Sequence, residues 1–222
     1  MKRIGVIVPA DNDTVLEDLS FGLNNKYEII NYKMEETGNN GYPENNDQEN
    51  KFINDLKHAG EYFKKNNVKY IVYGRGYGTY NEQGRKSIRN ILKCYAEDVL
   101  MPTDLIMNRI ADLKINAISV ILPYTRARGI TDIQMFSEKN IKIEHDFYLN
   151  TDDGKLIAGI KSDELCNLFK ENADKIKNSR IIVIQCTALH TAEVIERLKL
   201  FSGNVVLSSN SVLIDYLSKK IQ

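Results

Sequence analysis

The chain has 222 residues, and its 30 basic and 30 acidic side chains cancel at neutral pH. No long run of one charge sign occurs, which argues against a nucleic-acid-binding surface and a polybasic membrane patch, and no apolar run reaches the roughly 20 residues that cross a bilayer. The apolar run after Met1 is too short for a signal-peptide core, so a cytoplasmic protein is expected.

The three cysteines, Cys94, Cys166 and Cys186, are odd in number and lack CxxC spacing. This argues against a disulfide framework and against a structural zinc site. The histidines His58, His145 and His190 are scattered, so no metal site is predicted.

Apolar runs alternate with amphipathic stretches in the first half of the chain. The strand candidates are 4–8, 27–32, 68–73 and 99–101, and the helix candidates are centred on 15–23, 52–63, 88–95 and 105–113. The polar segment 35–50 is predicted to be a mobile loop beside the site.

The second half has the same organisation. Strands are expected at 117–122, 141–149, 181–184 and 205–207, and helices at 130–139, 165–176, 187–200 and 212–220. Alternation of strands and helices predicts an α/β protein with parallel sheets covered on both faces.

Three segments of the first half match three of the second half in the same order. IGVIVPADN (4–12) matches ISVILPYTR (118–126), KYIVYGRGYGT (69–79) matches RIIVIQCTALH (180–190), and VLMPTDLIMNRI (99–110) matches VLSSNSVLIDYL (206–217). The repeat predicts two pseudo-symmetric Rossmann-like lobes, 1–113 and 114–222, with the final helix able to pack back on the first lobe.

Ligands in parallel α/β sheets bind beyond the carboxyl ends of strands, and four such ends carry Asn12, Arg75, Tyr124 and Cys186. We expect these residues to converge on one ligand in the cleft between the lobes. Cys186 has two interpretations. At the start of a helix its thiolate would be stabilised by the helix dipole, or the cysteine could simply fill apolar space.

The other candidates also have alternative interpretations. Arg75 could hold a carboxylate with its two-pronged guanidinium and lower the pKa of a facing thiol, or it could turn outward into a salt bridge. Asn12 could cap the following helix. His190, four residues after Cys186, could act as a base for the thiol or be an ordinary helix residue.

Taken together, these motifs resemble a known group of enzymes. RIGVIVPADNDT, VILPYT, CTALHTAEVIERL and NVVLSSNSVL are similar to segments of maleate cis-trans isomerases and arylmalonate decarboxylases, in the aspartate/glutamate/hydantoin racemase superfamily. The resemblance implies a two-lobed α/β enzyme that handles carbanion-like intermediates with cysteines and no cofactor. It also suggests a dimer or a larger homo-oligomer.

The resemblance implies roles for individual residues. Cys186 matches the second-lobe catalytic cysteine, Tyr124 the tyrosine that hydrogen-bonds the carboxylate or enediolate, and Asn12 the asparagine that holds a carboxylate. Arg75 stands where racemases and maleate isomerases have their first-lobe cysteine. The remaining predicted substrate-binding residues are Gly76, Tyr77, Thr79, Thr187 and Asn210.

With one cysteine, the expected reaction is that of a lyase or isomerase on a small carboxylate, with an enediolate-like intermediate protonated from one face as in a decarboxylase. The alternatives are a maleate isomerase-like or racemase activity, or a carboxylate-binding protein that has lost catalysis.

Overall fold

The computed structural model describes residues 2–10, 12–24, 26–35, 43–76, 79 and 81–221. Its strands are β1 (Lys2–Pro9), β2 (Tyr27–Met34), β3 (Tyr70–Tyr73), β4 (Asp98–Leu100), β5 (Ala117–Leu122), β6 (Lys142–Tyr148), β7 (Ile181–Ile184) and β8 (Val205–Ser208). Its helices are α1 (Thr14–Leu23), α2 (Asn46–Lys65), α3 (Glu82–Leu92), α4 (Pro102–Asp112), α5 (Arg126–Ser137), α6 (Gly154–Ala158), α7 (Ser162–Glu171), α8 (Ala173–Asn178), α9 (Ile195–Ser202) and α10 (Ser209–Ile221).

The strands form two parallel four-stranded sheets, in the orders β2-β1-β3-β4 and β6-β5-β7-β8. Helices flank both sheets, so the predicted fold class of two α/β lobes is confirmed. The buried residues of the central strands are mainly branched aliphatics, and β7 consists of them entirely, as expected for strands covered on both faces.

The two sheets also agree in register. Gly5 pairs with Ile71 in the first sheet, and the repeat-equivalent Ser119 pairs with Ile182 in the second. Beyond the paired strands, the N–H of Gly74 donates to Ile7 O at 2.9 Å, and that of Gln185 donates to Ile121 O at 3.0 Å. These are equivalent bonds at equivalent positions, so the sequence repeat corresponds to a structural repeat.

The last helix of each half contributes to the core of the other half. Leu213 and Leu217 of α10 lie in an apolar cluster with residues of β1 and α1. Ile106 and Ile110 of α4 lie in the cluster that fills the second lobe. The two lobes therefore do not have fully separate cores.

Three sequence predictions of helices and loops are wrong in detail. The helix expected from Thr187 begins at Ile195, and turns occupy the intervening residues. The segment 165–176 is broken at Asn172, and α6 was not predicted. Helix α2 begins at Asn46, because the Asn45 side chain accepts the Gln48 N–H and caps it, so the predicted loop is shorter at that end. The loop prediction for 36–42 lies outside the described residues.

Within the described parts of the chain, no helix has the length and apolar character needed to cross a membrane.

Candidate active site between the lobes

Two hydrogen bonds connect segments that follow central strands of one lobe to the other lobe. Thr187 Oγ1 donates to Gly74 O at 2.9 Å, and Asn12 Nδ2 donates to Gly154 O at 3.1 Å. Both hydrogen bonds join one lobe to the other. Because Arg75 follows Gly74 and Cys186 precedes Thr187, the equivalent positions of the repeat lie on either side of the first of these bonds.

Cys186 has an unusual backbone conformation. Its φ angle is 98°, in the region that favours glycine, and such residues concentrate at functional sites. Its N–H donates to Ser209 Oγ at 3.1 Å, which ties the residue to the start of α10. The side chain is partly buried beside the second-lobe core.

The thiol of Cys186 has a pKa above its ordinary value, because burial disfavours the thiolate. A hydrogen bond from the Tyr124 hydroxyl, the N–H of Ala188 and the charge of Arg128 lower the pKa in part, and the charge of Asp132 raises it. A helix beginning at Thr187 would lower the pKa of the Cys186 thiol, which is what the sequence predicts. That expectation is wrong in direction, because no helix begins at Thr187 and burial outweighs the favourable contacts.

Tyr124 lies between the thiol and a guanidinium. The residue is 4% exposed, and Arg128 Cζ stands 4.1 Å from the centre of its ring. Arg128 Nη1 donates to Asp152 O at 2.6 Å, which holds the guanidinium over the ring. Sequence reasoning missed Arg128 and Asp132. The available signal was the spacing of four between Arg128 and Asp132, because it places both on one face of α5, just after Tyr124.

Arg75 is 4% exposed, so its side chain does not turn outward into solvent. Its Nη1 lies 3.4 Å from Glu35 O, a long contact with the residue after β2. The guanidinium thus lies buried close to the main chain that follows β2.

The loop after Arg75 is closed by its own hydrogen bonds. Thr79 Oγ1 donates to Gly76 O at 2.7 Å, and Arg85 Nη1 donates to Thr79 O at 2.6 Å. The Thr79 hydroxyl is thereby engaged within the protein. Tyr77 lies outside the described residues.

Asn12 and Asn210 both make structural contacts. Asn12 Oδ1 accepts the N–H of Thr14, the first residue of α1, at 2.9 Å, alongside the interlobe bond of Asn12. The N-cap residue is Asp13, whose side chain makes no capping hydrogen bond, so Asn12 is not the helix cap. Asn210 is fully buried, and its Nδ2 lies 2.8 Å from Asp18 Oδ2 and 3.3 Å from both Thr187 O and Leu189 O.

His190 is not one helical turn from Cys186, because 187–194 is not helical. Its Nδ1 lies 3.1 Å from Asp18 Oδ1 and its Nε2 lies 3.4 Å from Glu17 Oε2. Both carboxylates belong to α1 of the first lobe, so this contact is also interlobe. Among the described residues, no group of three or more His, Cys, Asp or Glu side chains is arranged to hold a metal ion.

Neither a protein-family model nor a curated protein sequence matches the chain. Solved structures do match it over nearly its full length. The maleate isomerase Iso from Pseudomonas putida S16 has a TM-score of 0.80 at 14% identity, covering 99% of this chain and 92% of that one. Unliganded arylmalonate decarboxylase has a TM-score of 0.77 at 14% identity, covering 100% and 92%.

A third match is a variant of Nocardia farcinica maleate cis-trans isomerase with a covalently bound succinylcysteine intermediate. Its TM-score is 0.76 at 12% identity, and the match covers 99% of this chain and 92% of the isomerase. The chain shares the fold of these enzymes. The resemblance stated from the sequence motifs therefore agrees with the structural neighbours, and at these identities the agreement concerns the fold.

Proposed function

We propose that the protein is a cofactor-independent enzyme that decarboxylates a small dicarboxylate and protonates the resulting enediolate with Cys186. The observation that carries the proposal is a partly buried thiol at the interlobe cleft whose pKa is raised by burial. Such a thiol is protonated at neutral pH and can act as a general acid.

Arg75 occupies the first-lobe position that is equivalent to Cys186 in the repeat. A guanidinium remains charged at all ordinary pH values, so Arg75 neither removes nor supplies a proton, and only the Cys186 face of the intermediate can be protonated by a side chain of this pair. Racemisation through two bases needs an acid or base on each face of the carbanion. Decarboxylation needs only one proton donor.

The proposed reaction has two steps. The bond between the α-carbon and one carboxylate breaks, carbon dioxide leaves, and the electron pair remains as an enediolate on the other carboxylate. The Cys186 S–H then gives its proton to the α-carbon, and the thiolate formed takes a proton from water. The Tyr124 hydroxyl and the Ala188 N–H stabilise that thiolate while it exists.

The carboxylate that stays on the substrate needs fixed positive partners. Arg75 is buried and follows β3 at the position equivalent to Cys186, and a guanidinium can bind a carboxylate through two parallel hydrogen bonds. We assign it this role, together with main-chain N–H groups of its loop. Asn12 links the loop after β1 to the second lobe through its hydrogen bond to Gly154 O.

An isomerase mechanism through a cysteine adduct is less well supported. The Nocardia farcinica isomerase structure carries a succinylcysteine intermediate, which requires attack by a cysteine sulfur. The thiolate is the nucleophilic form of cysteine, and a raised pKa makes it scarce at neutral pH.

The decisive experiment is turnover of malonates by the wild-type protein and by Cys186→Ala in D2O. We expect one deuterium at the α-carbon of the product, and a loss of about 100-fold or more in kcat for the variant. Cys166→Ala is the matched control, because Cys166 is also partly buried against the second-lobe core. Circular dichroism checks that both variants fold.

Three outcomes contradict the proposal. An unchanged rate in Cys186→Ala removes the cysteine from the mechanism. Turnover of maleate without decarboxylation of malonates favours the isomerase alternative. Thermal stabilisation by malonates with no turnover at all identifies a carboxylate-binding protein.

A further inference from the structure

The carboxylate of Asp18 lies at the centre of a hydrogen-bond cluster that joins the two lobes. Asp18 belongs to α1 of the first lobe and is 4% exposed. Its Oδ2 accepts the N–H groups of Thr191 at 2.9 Å and of Ala192 at 3.1 Å, and Nδ2 of Asn210 at 2.8 Å. These partners all belong to the second lobe.

Such a set of donors suits the acceptor oxygens of a carboxylate. A buried carboxylate is unfavourable unless hydrogen bonds replace its hydration, and main-chain N–H groups do so without losing side-chain entropy. Asp18 Oδ1 also lies 3.1 Å from His190 Nδ1. The carboxylate therefore contacts three successive residues, His190, Thr191 and Ala192.

These residues end the turn that starts at Cys186. Within that turn Ala188 supplies the N–H that interacts with the thiol, and the N–H of Leu189 lies 3.4 Å from Cys186 O. Asn210 connects the two parts, because the Nδ2 that reaches Asp18 also lies 3.3 Å from Thr187 O and Leu189 O.

The turn needs such support for a local reason. Cys186 has a φ of 98°, and a non-glycine residue in this region costs of the order of 1–3 kcal/mol, so it persists only where its surroundings fix it. The Ser209 hydroxyl accepts the N–H of Cys186, and Asp18 and Asn210 bind the residues that follow Cys186.

We propose that Asp18 is a positioning residue, which holds the turn 187–192 from the opposite lobe so that the Ala188 N–H stays directed at the Cys186 sulfur. The inference rests on the proposed function for its effect on catalysis. It predicts that a first-lobe helix residue controls the reactivity of a second-lobe cysteine. A purely structural role would affect stability without changing the thiol.

The test is Asp18→Ala, with the pH dependence of Cys186 alkylation by iodoacetamide as the main readout. We expect the midpoint to move to higher pH, because the thiolate loses the aligned N–H. We also expect kcat on a malonate substrate to fall about tenfold, the worth of roughly one hydrogen bond, with little change in KM. Asp18→Asn should recover most of both, because its amide oxygen can still accept the Thr191 and Ala192 N–H groups.

The matched control is Glu17→Ala. Glu17 is the preceding residue, contacts the same histidine at 3.4 Å and is largely exposed, so its variant should keep the wild-type profile. If Asp18→Ala does not fold, Asn210→Ala replaces it, since that variant frees the carbonyls of Thr187 and Leu189. If Asp18→Ala, or Asn210→Ala in its place, folds and keeps the wild-type alkylation profile, the proposal is overturned. Alkylation needs no turnover, so this result is separate from any failure of the decarboxylase proposal.

Discussion

At the scale of single residues, the groups that act directly on the Cys186 thiol belong to its own lobe. Tyr124 and Ala188 interact with the sulfur directly, and Arg128 and Asp132 on α5 act on it through their charges. Burial and the Asp132 charge raise the pKa of the thiol by more than the Arg128 charge and the two hydrogen bonds lower it, so the thiol is protonated at neutral pH. A protonated thiol is the form that the proposed proton donation requires.

Replacing Tyr124 by Phe is expected to raise the pKa of Cys186 further, because the thiolate loses a hydrogen-bond donor while the ring stays in place. The pH midpoint of iodoacetamide alkylation should therefore move upward. Tyr216→Phe is the control, since it also removes a tyrosine hydroxyl bond, at 2.8 Å to Asp98, from a partly buried residue away from the thiol. Equal midpoints in the wild-type protein and Tyr124→Phe would remove Tyr124 from the thiol environment.

The raised pKa also predicts a pH profile for activity. Alkylation requires the thiolate, so its rate should rise with a midpoint above the ordinary cysteine pKa of about 8.5. The proposed proton donation requires the thiol, so kcat should stay constant through neutral pH and fall as the pH passes that same midpoint. The two profiles, measured on one preparation, should mirror each other. A kcat that increases over the range where the thiol ionises would indicate a nucleophilic thiolate instead.

At the scale of elements, strands were predictable and the turns after them were not. The run IIVI at 181–184 specified β7 because a strand buried on both faces has no polar positions. The residues after it have helical spacing, yet the helix begins only at Ile195. The N–H groups of Thr191 and Ala192 bind Asp18, more than 170 positions away in the sequence. No local pattern could reveal that acceptor.

The close approach at the end of β3 gives a stability prediction. A Cβ on Gly74 would lie 2.8 Å from Ile7 O and 3.0 Å from Val15 Cγ1, and the carbonyl is main chain that cannot move aside. We expect Gly74→Ala to lower the free energy of unfolding by about 1–3 kcal/mol, measured by urea denaturation.

Gly159→Ala is the control for this substitution. Gly159 has right-handed helical angles, and its new Cβ would approach no atom closer than 3.3 Å. Its effect should be below about 1 kcal/mol. A Gly74→Ala protein as stable as the control would show that the β1–β3 contact can relax.

At the scale of the whole molecule, the internal repeat predicted the architecture well. The aligned segments gave the central strands, their common register and the equivalence of Arg75 with Cys186. The sequence pattern allowed for the last helix packing back on the first lobe, but it did not predict the position of α4. Ile106 and Ile110 of α4 pack in the second-lobe core, and amphipathic spacing indicates only that a helix has an apolar face, not which lobe covers it.

The exchange of α4 and α10 predicts that the lobes unfold together. Leu217 is fully buried in the first-lobe cluster with β1 and α1, although it belongs to the last helix of the chain. Leu217→Ala should cost about 2–5 kcal/mol of unfolding free energy, by loss of burial and the cavity left behind. Leu200→Ala is the control, because Leu200 is 85% exposed, and we expect little change there.

Hydrogen exchange of the amides shows which elements lose protection in Leu217→Ala. If α10 completes the first-lobe core, the amides of α1 and β1 should lose protection in Leu217→Ala along with those of α10 itself. Tyr27 at the start of β2 should respond too, because its hydroxyl donates to Leu217 O at 3.1 Å. Lost protection confined to α10, with α1 and β1 unchanged, would mean that the first lobe is stable without it. The contact between the lobes would then depend mainly on the bonds of Asp18 to the Thr191 and Ala192 N–H groups and on the Thr187 bond to Gly74, none of which involves α10.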